Sequence, residues 1–184
     1  MNLYLNIDDL KSENEIRLYD NIRFLYAKQN TIMDGDFTKI LYSTDCFTMN
    51  GLYLLFPAVI DKRPLTKPTH INHMRTLLHN NPSNIILTQD FGLLETALLT
   101  MYTRYHQCEK QFELSLYKQL SNRHIRVYTE QVDRANSPGD SRRSLDAYKA
   151  SSTSLILKIS GIWESHDKVG ITYKIVELSS AETL

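Results

Sequence analysis

One run of residues constrains this chain more than any other. Between about Asp90 and Ser121, Leu94, Leu98, Met101, Tyr105, Cys108, Phe112 and Leu116 follow one another at steps of 4, 3, 4, 3, 4 and 4. That spacing draws a continuous apolar stripe down one side of an α-helix. Arg104, Lys110, Glu113 and Lys118 fall mainly off the stripe. Asp90 is placed to cap its start and Asn122 to close its end. Such a helix must lie on something apolar, either a sheet or the matching seam of a second copy.

The sequence around it reads as strands. Leu3, Leu5 and Ile7 alternate at the start, and 15–28 fits either a helix or a strand pair. After the turn signal Asp34-Gly35-Asp36, residues 37–42 alternate, with Phe37, Lys39 and Leu41 on one face. Asn50-Gly51 is either a tight turn between 46–49 and 52–56 or a bulge in one long strand. Residues 61–70 form a loop with two prolines and three basic residues, and 71–79 read as a strand. Residues 80–84 form a second loop, followed by a short apolar piece at 85–87. A short strand covers 125–128. The polar stretch 129–152 reads as a long mobile loop. Two strong strands, 154–163 and 171–178, close the chain around the loop Glu164–Gly170. The expectation is one α+β domain over 1–184, with the long amphipathic helix at about 90–121 inserted into a β-structure.

Composition narrows the chemistry. Lys+Arg and Asp+Glu both number 21, so bulk charge drives no attachment to nucleic acid or to anionic membrane, although a local basic groove is compatible with it. The two cysteines, Cys46 and Cys108, form no CxxC or secreted disulfide pattern and read as buried free thiols on a strand and on the helix. The first residues lack a signal-peptide pattern, and no run reaches the roughly 18 apolar residues of a membrane span, so an intracellular protein is expected, nuclear or cytoplasmic. Six histidines make no HExxH or H-x-H pair. His70 and His73 sit beside a strand, where residues three apart point to opposite faces, so no metal site is expected. There is no GxSxG elbow, no GxxxxGK[ST] and no GxGxxG. Asp8-Asp9 and Asp34/Asp36 are carboxylate pairs that could hold Mg²⁺ in a metal-dependent nuclease, and Asp34/Asp36 is also ordinary turn chemistry. The chain thus reads as a binding module without a cofactor, and not as an enzyme.

The closing strand pair is the most informative stretch. Leu155-Ile-Leu-Lys-Ile-Ser-Gly-Ile-Trp163 and Gly170-Ile-Thr-Tyr-Lys-Ile-Val-Glu-Leu178 resemble the last strand pair of the OB-fold replication single-stranded DNA-binding proteins of T7-like phages and large DNA viruses. Those proteins also insert a long helix into a five-stranded barrel. The resemblance implies an OB-like antiparallel β-barrel, a viral replication or recombination setting, and single-stranded DNA, more than RNA, as the partner. It departs from that family at its end: ELSSAETL carries no strongly acidic tail with a terminal aromatic.

The residues support the same chemistry independently. Alternation places Leu155, Leu157, Ile159 and Trp163 on one face, and Ile156, Lys158, Ser160 and Ile162 on the other. It also sets Thr172, Lys174 and Val176 against Ile171, Tyr173 and Ile175. Each strand carries a central lysine and an aromatic ring. Sequence-tolerant single-strand binders need rings on which any base stacks and cations that follow the phosphates. The candidate nucleic-acid-binding residues are Lys39, Tyr42, Tyr53, Lys62, Arg63, Lys158, Trp163, Tyr173 and Lys174. The basic Arg134, Arg142, Arg143 and Lys149 of the 129–152 loop would add phosphate contacts. The competing expectation is a structural or adaptor protein that homo-oligomerises through the long helix and binds no nucleic acid.

Overall fold

The computed structural model describes residues 4–12, 15–16, 20–30, 35–61, 73–129 and 154–178. Of the loops expected at 61–70 and 129–152, all but Asp61 and Thr129, and with them Lys62 and Arg63, lie outside the described residues. Leu5 makes a single parallel bridge to Leu54 instead of opening a strand, and the chain then enters the one-turn helix α1 (Ile7–Leu10). The segment that fitted either helix or strand pair is strand: β1 (Lys11–Ser12) pairs with β2 (Glu15–Ile16), and β3 (Ile22–Asn30) follows. Then come β4 (Gly35–Ser43), β5 (Thr48–Met49), β6 (Leu52–Phe56) and β7 (His73–Leu77). The long helix α2 (Pro82–His106) leads to β8 (Gln111–Glu113), α3 (Ser115–Ser121) and β9 (His124–Thr129). The closing hairpin is β10 (Leu155–Glu164) with β11 (Lys168–Glu177).

The protein is α+β, with one long helix and a nine-stranded sheet in the order β3-β4-β10-β11-β9-β7, to which β5, β6 and β8 add at β4, β10 and β11. The sheet is mixed, because β8 and β9 run parallel to β11. Among the described residues no pairing joins β3 to β7, so the sheet is open and the expected closed antiparallel barrel is not what these strands build. The parallel strands arise because β8, α3 and β9 run along one edge of β11. β8 meets Lys168–Gly170, α3 arches off, and β9 returns to Ile175–Glu177.

The single helix expected at 90–121 is two helices separated by a strand. α2 starts eight residues earlier than expected: the Asn81 side chain accepts a hydrogen bond from the Asn84 N–H at 2.8 Å, and Pro82 occupies the first turn, where its missing donor costs nothing. It stops at Gln107, which adopts φ 51° and turns the Cys108 N–H back to the Thr103 carbonyl. Cys108, Phe112 and Leu116 continue the helical period only by coincidence: Phe112 lies on β8 and Leu116 on α3. Asn50-Gly51 makes no hairpin, because β5 pairs with β4 whereas β6 pairs with β10. The pair is a bend between two partners, and Gly51 takes its φ of 107°. Cys46 is exposed in the loop before β5, against the expected buried strand position.

The core lies between the inner face of the sheet and the two helices. Leu52, Leu54, Leu157, Ile159, Ile162, Val127 and Ile125 from the strands meet Phe91, Leu94, Leu98 and Leu99 of α2 and Leu116 and Leu120 of α3. Helix α3 has no side-chain cap of its own. The fully buried Glu95 of α2 supplies one: its carboxylate accepts from the Leu116 N–H at 3.1 Å and the Tyr117 N–H at 2.9 Å. Replacing Glu95 with alanine strands both donors and is expected to cost about 1–3 kcal/mol in urea unfolding. Burial pushes the Glu95 carboxyl above the usual carboxylate range despite its backbone donors. A raised folded-state pKa gives stability that is fully present at acid pH and is lost as pH rises through that value. The Glu95→Ala cost should therefore be larger at acid than at neutral pH, and a cost that grew with pH would contradict this reading.

Candidate nucleic-acid interface

Strand register decides which side chains share the outer face of the sheet, because directly paired residues point the same way and neighbours along a strand alternate. Lys158 pairs with Tyr53 on one side and with Lys174 on the other. Val176 pairs with Tyr128, which puts Tyr128 and Arg126 on the face of Lys174, and Arg126 pairs with Arg75. Tyr53, Lys158, Lys174, Arg126 and Arg75 thus form a row across β6, β10, β11, β9 and β7.

The face continues past Ser160, where a bulge shifts the register between Ile159 and Gly161. The extra residue exchanges the faces beyond it. Ile162, expected beside Lys158, is fully buried on the inner face, while Trp163, expected on the face of Leu155, Leu157 and Ile159, is half-buried on the face of Lys158. The pairings Trp163–Phe37 and Gly161–Lys39 extend this face onto β4. The Trp163 indole lies over Gly170, where an added Cβ would come within 2.6 Å of the ring, and the Phe37 ring covers Gly161 in the same way. Arg23 and the exposed Leu25 of β3 complete the face.

Its electrostatics are one-sided. Among the described residues, Glu113 is the one carboxylate that the strands turn to this face, and it is paired with Lys118 and, at 3.8 Å, with Lys168. Lys158 and Lys174 sit directly opposite each other, as do Arg75 and Arg126, with no described carboxylate in contact with any of the four. Like charges facing each other across strands destabilise a sheet. Each lysine is instead turned over a ring: Lys158 Nζ lies 4.9 Å from the Tyr53 centroid and Lys174 Nζ 5.3 Å from that of Tyr128.

Of the residues expected from sequence, Lys39, Tyr53, Lys158, Trp163 and Lys174 therefore share the outer face. Two tyrosines do not. Tyr42 is buried on the inner face beside Phe47, with the Asn21 side-chain amide donating to its hydroxyl at 3.4 Å. Tyr173 also points inward: its hydroxyl donates to Gln119 Oε1 at 2.5 Å and reaches the Ser115 carbonyl at 3.3 Å. Burial, followed by the charge of Glu95, pushes its pKa up to about 12. Neither ring is placed to stack a base. The sequence reading missed Arg75, Arg126 and Tyr128. Strict alternation of Arg126 and Tyr128 against Ile125 and Val127 was the signal that could have found two of them.

A second polar group lies at the far end of β10. Tyr102 donates to Glu164 Oε2 at 2.6 Å, and Lys110 pairs with Glu164 Oε1 at 2.6 Å. Burial works against the Glu164 charge, but these two donors hold its carboxyl below the usual range. The group ties α2 and the segment before β8 to the sheet. No set of three or more metal-ligating side chains converges among the described residues, and none of their helices is long and apolar enough to cross a membrane.

Compared with protein-family models, with curated proteins and with solved structures, the chain matches none. Function is therefore argued from this face alone.

Proposed function

We propose that the outer face of the sheet is a platform for single-stranded nucleic acid, DNA in preference to RNA, and that the protein is a sequence-tolerant binding module of replication or recombination, not an enzyme. The observation that carries this reading is the row of like-charge pairs, Lys158/Lys174 and Arg75/Arg126, which no carboxylate among the described residues neutralises and which Tyr53 and Tyr128 flank. A phosphate backbone laid along the row relieves the repulsion that the empty sheet bears. Trp163, Phe37 and the tyrosines offer ring faces to unstacked bases, each stacking contact contributing about 1–3 kcal/mol.

A labelled oligonucleotide of about 30 nucleotides, titrated at two salt concentrations, tests the proposal. Binding is expected to favour single strands over duplex and to weaken as salt rises, through counterion release. Trp163 is the only tryptophan, so quenching of its fluorescence by oligo(dT) reports on this face alone. Absence of binding at low salt, or binding that leaves the indole unquenched, would remove the platform.

A competing reading, an adaptor that homo-oligomerises, draws on one observation: α2 leaves Ile85, Ile86 and Leu93 exposed at 52%, 56% and 53%. Sedimentation with and without oligonucleotide separates the two. A dimer that binds no oligonucleotide supports the adaptor.

A further inference from the structure

A crevice opens at one edge of β11. β8 leaves the edge of β11 at Gly170 and β9 joins it only at Ile175, so residues 171–174 have no strand partner on that edge among the described residues. The gap is a crevice of about 520 Å³, within the range of small-molecule sites. Arg75, Arg126 and Lys174 line one side of it, with the Tyr128 ring beside them. Tyr173 and Gln119 line the other. Among the described residues no carboxylate lines it. Gln119 Oε1 already accepts from the Tyr173 hydroxyl, which leaves the amide N–H groups of Gln119 to donate.

We propose that this crevice seats a single nucleotide carrying a phosphate monoester, its phosphate against Arg75, Arg126 and Lys174 and its base towards Gln119 and the Tyr128 ring. The inference rests on the platform reading and sharpens it. Three cations that meet no carboxylate among the described residues suit a group bearing close to two negative charges, which a monoester has and an internal phosphodiester lacks. The arginine forks fit its oxygens in pairs. The spare amide donors suit a base carbonyl or ring nitrogen, so nucleotide and bare phosphate are distinguishable. A monoester reaches the crevice either as a free nucleotide or as the phosphorylated end of a strand.

Calorimetric titration with inorganic phosphate, a nucleoside and the matching nucleoside 5′-monophosphate tests the seat. A parallel pair of oligonucleotides, with and without a 5′-phosphate, separates the two sources. The monophosphate is expected to bind more tightly than either phosphate or nucleoside, and Arg126→Ala to weaken it about tenfold or more. Arg104→Ala, on α2 and away from the crevice, should leave monophosphate binding unchanged. Both side chains are exposed, so these variants should fold, and circular dichroism verifies that. Monophosphate binding no tighter than phosphate, or indifferent to Arg126→Ala, overturns the seat. If the oligonucleotide binds while the monophosphate does not, the seat falls and the platform stands. If the monophosphate binds while the oligonucleotide does not, the platform falls and the seat is upheld for free nucleotides. Tighter binding of the 5′-phosphorylated oligonucleotide supports the seat as a strand-end site.

Discussion

Lys158→Ala, Lys174→Ala and Arg126→Ala combined should lower affinity for a single-stranded oligonucleotide about 100-fold near 0.1 M salt. Each cation that neutralises a phosphate contributes about 0.7 to the slope of log K against log salt, or roughly fivefold in affinity at that concentration. The same variant should show a slope shallower by about 2. The fold should survive, because the three side chains stand on the outer face and two of them oppose each other as like charges. Removing Lys158 and Lys174 together takes away that repulsion as well as two cation–π contacts, and these changes partly offset. Unchanged affinity in a folded triple variant would take the row out of the site.

Leu98→Ala should destabilise the protein by about 2–5 kcal/mol in urea unfolding, the cost of emptying a large buried side chain in a core that cannot collapse around it. Leu98 is completely buried between α2 and the inner face of the sheet. Leu93, on the same helix, is 53% exposed, and Leu93→Ala should fall within about 0.5 kcal/mol of wild type unless a second copy covers it. Similar costs at both positions would mean that the helix buries both sides, as an oligomer would require. An unperturbed Leu98→Ala would mean that α2 does not sit on the sheet as described.

β11 and β4 were legible in the sequence because one inner and one outer set of residues alternate there without interruption, as in Thr172, Lys174 and Val176 against Ile171, Tyr173 and Ile175. The limits of the long helix were not. Apolar residues keep helical spacing through Cys108, Phe112 and Leu116 although the helix has ended, and the terminating residue is Gln107 in a conformation usually taken by glycine or asparagine. The start was hidden because Asn80–Asn84 looks like a loop, whereas Asn81 and Pro82 are a cap and a first turn. Trp163 was misplaced by one residue, the bulge at Ser160, which carries no strong local signal. Of the candidate site, the two central lysines and Tyr53 were legible from alternation. The row they belong to was not, since it depends on which strands become neighbours: β6 reaches β10 and β7 reaches β9 only through long-range pairing.

The middle of this sheet is made last. β4 and β6, from residues 35–56, wait for β10, whose first residue is Leu155, and β9 waits for β11. As the chain leaves the ribosome, the edges that will flank β10 exist before their partner does, with their apolar inner faces already formed and uncovered. Such distant pairing slows folding and prolongs exposure to aggregation. The β10–β11 hairpin closes locally, through Ser165–Asp167, and then supplies both missing partners at once. Any truncation before Leu155 removes the centre of the sheet, not its margin: β6 loses the strand it pairs with, and β4 keeps only β3 and β5.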